Sequence, residues 1–211
     1  MFVTRIELWV TPGRVAEFEA QEARLHALLA QQPDLERCAL GNSLGYPSKY
    51  VRMIRWQSRD TANAWRKGAA LGAFLREHPN QGLYTAGRPI EAYEIVSTLR
   101  GSATAGANGH AVLVDWTIDA RNAQAFEDSR AAVFEVRQRY GRGLAAQVLG
   151  RFLGGGGRYL AYIVTATRDD LQATNTAPEV QQFMQAHPWS DYGGSPPVAE
   201  PYEIVQTTTG Q

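Results

Sequence analysis

The chain has 211 residues, enough for one large domain or for two small domains that each bury a core. Hydrophobic residues make up 44% and charged residues 20% of the sequence, which is typical of a globular protein and excludes a disordered or fibrous chain. The 21 basic and 21 acidic side chains cancel, which argues against a nucleic acid or an anionic membrane as partner, and a single cysteine, Cys38, excludes an intrachain disulfide.

The first predicted elements are a strand and an amphipathic helix. Apolar and polar side chains alternate from Phe2 to Val10, as they do in a half-buried strand. Thr11 and Pro12 then predict the start of a helix that ends before Pro33. Five residues at helical spacing indicate its inner face: Val15, Phe18, Glu22, Leu25 and Leu29.

A hairpin, a second helical region and a closing strand are predicted next. Residues 38–43 and 49–57 flank a short loop and indicate two antiparallel strands. Asp60 predicts the cap of the second helical region, which Gly68 and Gly72 loosen, and Tyr93–Val96 predicts the closing strand. The order strand, helix, strand, strand, helix, strand is that of a ferredoxin-like unit, an antiparallel sheet with two helices on one face.

The second half of the chain repeats the first at a shift of 109 residues. Within residues 41–96 this register gives 16 identities in 56 pairs, where about three or four are expected from average composition. A glycine-rich stretch at 101–109 predicts a flexible linker between domains at 1–100 and 110–211. The second face of each sheet is partly apolar, so we expect the two copies to pack face to face as a pseudo-dimer.

Two histidines occupy the same place in both copies. His78 and His187 each follow a phenylalanine by four residues and precede a proline. They are candidates for a ligand contact, a proton donor or a haem-iron ligand. The alternative is that each histidine ends a helix, where it bonds free carbonyls and its charged form suits the helix dipole.

The chain resembles the antibiotic biosynthesis monooxygenase (ABM) family. The resemblance rests on the order of elements, on the turn Trp56-Gln-Ser-Arg-Asp60, and on the Phe-x-x-x-His-Pro pattern at His78 and His187. It implies an α+β fold, with two tandem ferredoxin-like (βαββαβ) units packed sheet to sheet as an intrachain dimeric α+β barrel. It also implies a cofactor-independent monooxygenase that oxidises a small phenol- or quinol-type aromatic.

The resemblance implies Trp65, His78 and Asn63 as candidate catalytic residues. Haem-degrading relatives use a tryptophan and a histidine in this region, but the spacing of 13 between Trp65 and His78 is about one turn longer, and the second copy has Thr174 in place of Trp65. Quinone-forming relatives use an asparagine and a tryptophan one turn apart. Asn63 and Trp65 are two residues apart, so at about 100° per residue they face different sides of one continuous helix.

Further residues are candidates for the walls of a ligand-binding cavity. They are Trp56, Met53, Tyr162, His187 and Trp116. Apolar walls that exclude water suit the oxidation of an electron-rich phenol, whose anion can itself pass an electron to dioxygen. An aromatic side chain at any of these positions also fits an ordinary core.

We therefore expect a cytoplasmic protein that oxidises a small hydrophobic or aromatic molecule without a cofactor. Two alternatives stay open: a non-catalytic small-molecule-binding or structural member of the same superfamily, and a haem-binding or haem-degrading protein. The four histidines lack the HxH or HxxxH spacing of a local metal site. Nucleic acid and membrane are not expected partners, and the intrachain pseudo-dimer is compatible with a further homo-oligomer.

Overall fold

The structure is a computed structural model that describes residues 1–87 and 90–210. The helices and strands of these residues are β1 Phe2–Val10, α1 Val15–Leu29, β2 Leu35–Ser43, β3 Lys49–Trp56, α2 Arg59–Lys67, α3 Ala69–Glu77, β4 Tyr84–Gly87, β5 Glu91–Arg100, β6 His110–Thr117, α4 Ala123–Tyr140, β7 Leu144–Phe152, β8 Arg158–Thr165, α5 Arg168–Thr176, α6 Pro178–Ala186 and β9 Ser195–Thr208. None of these helices has the length and apolar composition needed to cross a membrane.

The chain divides into two compact units. The first contains Met1–Ala92 and Val205–Gln211, and the second contains Tyr93–Ile204. The predicted domains at 1–100 and 110–211 were instead bounded by the two copies of the sequence repeat. Their boundaries, the linker and the sheet-to-sheet pairing of the copies stay predictions.

The first unit is an antiparallel sheet with helices on one face. Its strands lie in the order β2-β3-β1-β4, and β1 pairs with β3 so that Ile6 is opposite Arg52 and Thr4 is opposite Ile54. Leu29 of α1 and Trp65 of α2 belong to the core cluster that contains Ile54. The predicted ferredoxin-like α+β arrangement is confirmed.

The second unit has the same arrangement with one additional strand. Its order is β9-β6-β8-β7-β5, and Val114 on β6 is opposite Ala161 on β8. The predicted closing strand exists as β5, but its part from Tyr93 onward pairs with β7, and β4 pairs with β1. Tyr93 is fully buried and its ring contacts Phe152, with 5.5 Å between ring centroids, which explains this pairing.

Equivalent aromatic contacts recur in the two units. Phe18 of α1 packs on Tyr50 of β3 at a centroid distance of 4.6 Å, and Phe126 of α4 packs on Tyr159 of β8 at 4.9 Å. Each tyrosine hydroxyl donates a hydrogen bond to a glutamate of the same helix. The proposed tandem duplication implies this recurrence, with α1 equivalent to α4 at a shift of 108 residues.

The second helical region begins and breaks at defined residues. The prediction that Asp60 caps it is wrong, because the Ser58 hydroxyl accepts the hydrogen bond from the Thr61 backbone N–H at 3.1 Å. Asp60 lies in the first turn, where the helix dipole favours a carboxylate. Gly68 is extended and separates α2 from α3, which confirms the predicted break there, whereas Gly72 lies within the continuous helix α3.

Candidate functional site

A cavity of about 240 Å³ lies in the first unit between the sheet and helices α1, α2 and α3. Most of its wall is apolar: Ile6, Leu25, Leu29, Ile54, Leu71 and Phe74. Ligand pockets usually have volumes of about 300–1,000 Å³, and this cavity lies just below that range, so only a compact ligand fits it.

Two tryptophans form one corner of this cavity. Trp56 of β3 is 2% exposed and Trp65 of α2 is 8% exposed, and their ring centroids are 6.1 Å apart. Trp65 faces inward because it lies three residues after Ala62, which also lines the cavity, and this spacing places both on one helix face. The corner therefore presents two aromatic rings to the cavity.

A buried ion pair supplies most of the charge in the cavity. The Arg52 guanidinium of β3 donates to the Glu22 carboxylate of α1 through Nε, with 2.8 Å to Oε2, and through Nη2 to Oε1. Burial opposes the positive charge, but the Glu22 carboxylate outweighs it and raises the pKa of Arg52. The pair is bidentate and carries no net charge, which is how an apolar site tolerates two ions.

Tyr84 of β4 adds a phenol beside this pair. Burial, followed by the Glu22 carboxylate, raises the pKa of Tyr84 to about 12, although Arg52 acts in the opposite direction. The hydroxyl therefore keeps its proton at neutral pH and can donate a hydrogen bond to an anion. Glu22, Arg52 and Tyr84 form a cluster that we call the polar triad.

The predicted catalytic residues separate in the structure. Trp65 lines the cavity, whereas Asn63 and His78 are absent from its wall. Asn63 lies on the same continuous helix as Trp65 but two residues away from it. His78 follows the last residue of α3, stacks on Phe74 at 4.8 Å, and borders an open surface groove with Arg14 and Glu17.

The predicted wall residues also divide between the two sheet faces. Trp56 lines the first cavity, but Met53 is buried on the opposite face of β3, because side chains alternate along a strand. Trp116 lines a cavity of about 320 Å³ in the second unit. Tyr162 is buried outside the wall of this second cavity, and His187 stacks on Phe183 at the end of α6. Within the described residues no histidine lines either cavity, so neither His78 nor His187 is placed to ligate haem iron there.

The cysteine lies in an unreactive environment. Cys38 is fully buried, with its Sγ 3.4 Å from Nε2 of His26, whose Nδ1 lies 3.0 Å from Oγ1 of Thr208. Burial raises the pKa of the thiol to about 12 and lowers the pKa of His26 to about 4. Both groups are neutral at pH 7, so the arrangement of a cysteine beside a histidine supplies no thiolate nucleophile.

Sequence reasoning missed the polar triad, although one signal was present. Glu22 occupies a position in the apolar stripe of α1, where an acid requires a buried partner. Arg52 lies 30 residues away on another element and pairs with Glu22 only after the sheet has formed. A charged residue in an apolar stripe is therefore the signal that could have found the site.

Comparisons with known proteins agree with this architecture. Residues 1–77 match the family model described as antibiotic biosynthesis monooxygenase. The chain is similar to a candidate monooxygenase from Fusobacterium nucleatum, with a TM-score of 0.84, 8% identity, and coverage of 99% of this chain and 94% of that one. It is also similar to a candidate monooxygenase from Lactobacillus acidophilus, with a TM-score of 0.78, 10% identity, and coverage of 99% and 96%.

A third similar structure is an anthrone oxidase-like protein. Its TM-score is 0.67 and its identity 14%, with coverage of 99% of this chain and 93% of that one. At such low identities these similarities show the fold alone. No curated protein gives a significant match to the chain.

Proposed function

We propose that the first unit is a cofactor-independent oxygenase of small electron-rich aromatics, a proposal supported by the match of residues 1–77 to the ABM family model. The proposed substrates are hydroquinones and anthrone-type phenols. The observation that carries the proposal is the cavity itself, in which two tryptophans provide an apolar binding surface and the polar triad lies at its wall.

With an anthrone-type substrate, the proposed reaction converts the activated methylene into a carbonyl. Dioxygen is the oxidant: one of its oxygen atoms becomes the carbonyl oxygen and the other leaves as water with the two hydrogens of the methylene. The substrate must first lose a proton, because its anion is the species that passes an electron to dioxygen. The protein therefore has to stabilise this anion inside an apolar cavity.

The polar triad can do this without creating net charge. Glu22 accepts the substrate proton, and the negative charge moves from the carboxylate to the substrate oxygen. Arg52 then pairs with the substrate oxyanion in place of the carboxylate, so that the cation keeps one anionic partner throughout. Tyr84, which stays protonated, donates a further hydrogen bond to the oxyanion. Trp56 and Trp65 hold the ring and exclude water.

The test is oxygen uptake by the purified protein with a panel of anthrones and hydroquinones. We expect uptake above the spontaneous rate and one ¹⁸O atom in the product carbonyl when ¹⁸O₂ is supplied. Glu22→Gln removes the base but keeps the shape, and it should lower the rate by a factor of about 100, within the usual contribution of a general base. A wild-type protein that binds anthrone in this cavity without accelerating its oxidation would contradict the proposal and favour the non-catalytic alternative.

A further inference from the structure

Two arginines of α4 line the cavity of the second unit. Arg130 and Arg137 are seven residues apart, about two helical turns, and therefore lie on one face of the helix. Arg130 is 1% exposed, although arginine is rarely fully buried unless it is paired. In the first unit the equivalent positions hold Glu22 and Leu29.

Neither arginine has a carboxylate partner among the described residues. Arg130 donates from Nη2 to Oγ of Ser129 and to the backbone carbonyl of His187, each at 3.0 Å, and its Nη1 lies 3.6 Å from Sδ of Met184. No acidic side chain lines the cavity in the part of the chain that the structure describes. The second unit therefore buries positive charge that protein groups only partly compensate.

Part of each guanidinium has no hydrogen-bond partner. The Nε atoms of Arg130 and Arg137 are both buried and unpaired. Burial lowers the pKa of Arg137 to about 10, and the nearby positive charge of Arg130 lowers it further. Arg130 is buried and interacts with the Tyr192 side chain, and Arg137 is half-buried. Two neighbouring cations without a carboxylate partner repel one another, and an anion between them would relieve this repulsion.

The remaining wall indicates the kind of anion. Trp116, Phe134 and Trp189 contribute aromatic surface, and Val112 and Ile163 contribute aliphatic surface. The volume of about 320 Å³ is at the lower end of the range for ligand pockets. An inorganic anion would leave this apolar surface uncovered, whereas a ring that carries a carboxylate would satisfy both parts of the cavity.

We propose that the cavity of the second unit binds a small aromatic carboxylate, whose anionic group pairs with Arg130 and Arg137 while its ring lies against Trp116 and Trp189. This site is separate from the proposed oxygenation site and does not depend on it.

The probes are 2-naphthoate and its neutral counterpart 2-naphthamide, which have nearly the same shape and differ in charge. Binding to the full chain is measured by isothermal titration calorimetry. We expect naphthoate to bind at least about tenfold more tightly than naphthamide, as is usual for charge-assisted hydrogen bonds. Equal affinities for the two probes would overturn the proposal.

The variant Arg137→Leu introduces leucine, the residue that the first unit has at the equivalent position. It tests whether naphthoate binds in this cavity. It should abolish the preference for naphthoate, while Arg137→Lys retains most of it. Arg139→Leu changes an exposed arginine of the same helix and is the matched control, with unchanged affinity expected. If Arg137→Leu and Arg139→Leu lower the affinity equally, naphthoate binds elsewhere and the proposal fails.

The melting temperature separates a ligand site from a structural role. Without ligand, Arg137→Leu should melt no lower than the wild type, because it removes a cation that has no partner. Naphthoate should raise the melting temperature of the wild type and not that of the variant. A ligand-free variant that is clearly less stable than the wild type would show that Arg137 supports the fold and would overturn the proposal.

Discussion

The helix position that faces the cavity holds Glu22 in the first unit and Arg130 in the second. The two cavities differ in whether this charged side chain has a partner of opposite charge. Glu22 pairs with Arg52 in the first cavity, so their charges cancel, and the other charged side chain of this wall, Arg66, is exposed. The position of Arg52 is Ala161 in the second unit, so no charge there balances Arg130. The strand registers are equivalent, with Ile6 opposite Arg52 and Val114 opposite Ala161, and the difference in charge is the basis for proposing a neutral substrate in one unit and an anion in the other.

The largest effect is expected when the ion pair of the first cavity is broken. Arg52→Met leaves the Glu22 carboxylate buried and unpaired, which should lower the free energy of unfolding by about 3–5 kcal/mol in urea titrations. The double variant Glu22→Leu/Arg52→Met should recover most of this loss, because two apolar side chains replace the pair. If the double variant is as unstable as the single one, the cost comes from packing and not from charge.

The next effect concerns the acid stability of the first unit. The folded state binds a proton on His26 only near pH 4, whereas the unfolded chain binds it near pH 6.5, so acidification favours unfolding. As the pH falls from 6.5 to 4, the loss of stability from this one group grows to about 3 kcal/mol. The second unit has Phe134 at the equivalent position, and His26→Phe should therefore flatten the dependence of the urea midpoint on pH over this range. An unchanged slope in the variant would refute the role of His26.

A smaller effect is expected at the hydroxyl of the polar triad. Tyr84→Phe removes one hydrogen-bond donor to the proposed oxyanion and keeps the ring, so the rate of oxygen uptake should fall about tenfold with little change in stability. The variant is compared with the wild type at several substrate concentrations. A change in KM alone would assign Tyr84 to substrate binding.

The smallest effect is expected at the repeated histidines. His78→Ala should change oxygen uptake by less than about twofold, because His78 borders an open groove outside the cavity. His187→Ala is the matched change in the second unit, and neither variant should lose more than about 0.5 kcal/mol of stability, as is usual for a surface substitution. A tenfold loss of activity in His78→Ala would contradict this prediction and show that His78 takes part in the reaction.

The sequence was sufficient for most elements of each unit because periodicity is local. Alternation in β1, the helical spacing in α1 and the break at Gly68 predicted the observed structure, although α1 begins at Val15 and not directly after Thr11. The strand β4 and the pairing of β5 with β7 were not predicted, because strand pairing depends on contacts between distant residues. The two-residue spacing of Asn63 and Trp65 also predicted that they would face different sides of the helix. The polar triad could not be predicted in this way, because Glu22, Arg52 and Tyr84 come from three elements that meet only through the sheet register.

The most direct measurement compares two equivalent cavity-filling variants. Ile6 and Val114 line the first and the second cavity at equivalent strand positions. Ile6→Trp should abolish oxygen uptake with anthrone and leave naphthoate binding intact, whereas Val114→Trp should retain oxygen uptake and lose naphthoate binding. Oxygen uptake that persists in Ile6→Trp, or that disappears in Val114→Trp, would contradict the assignment of oxygenation to the first unit.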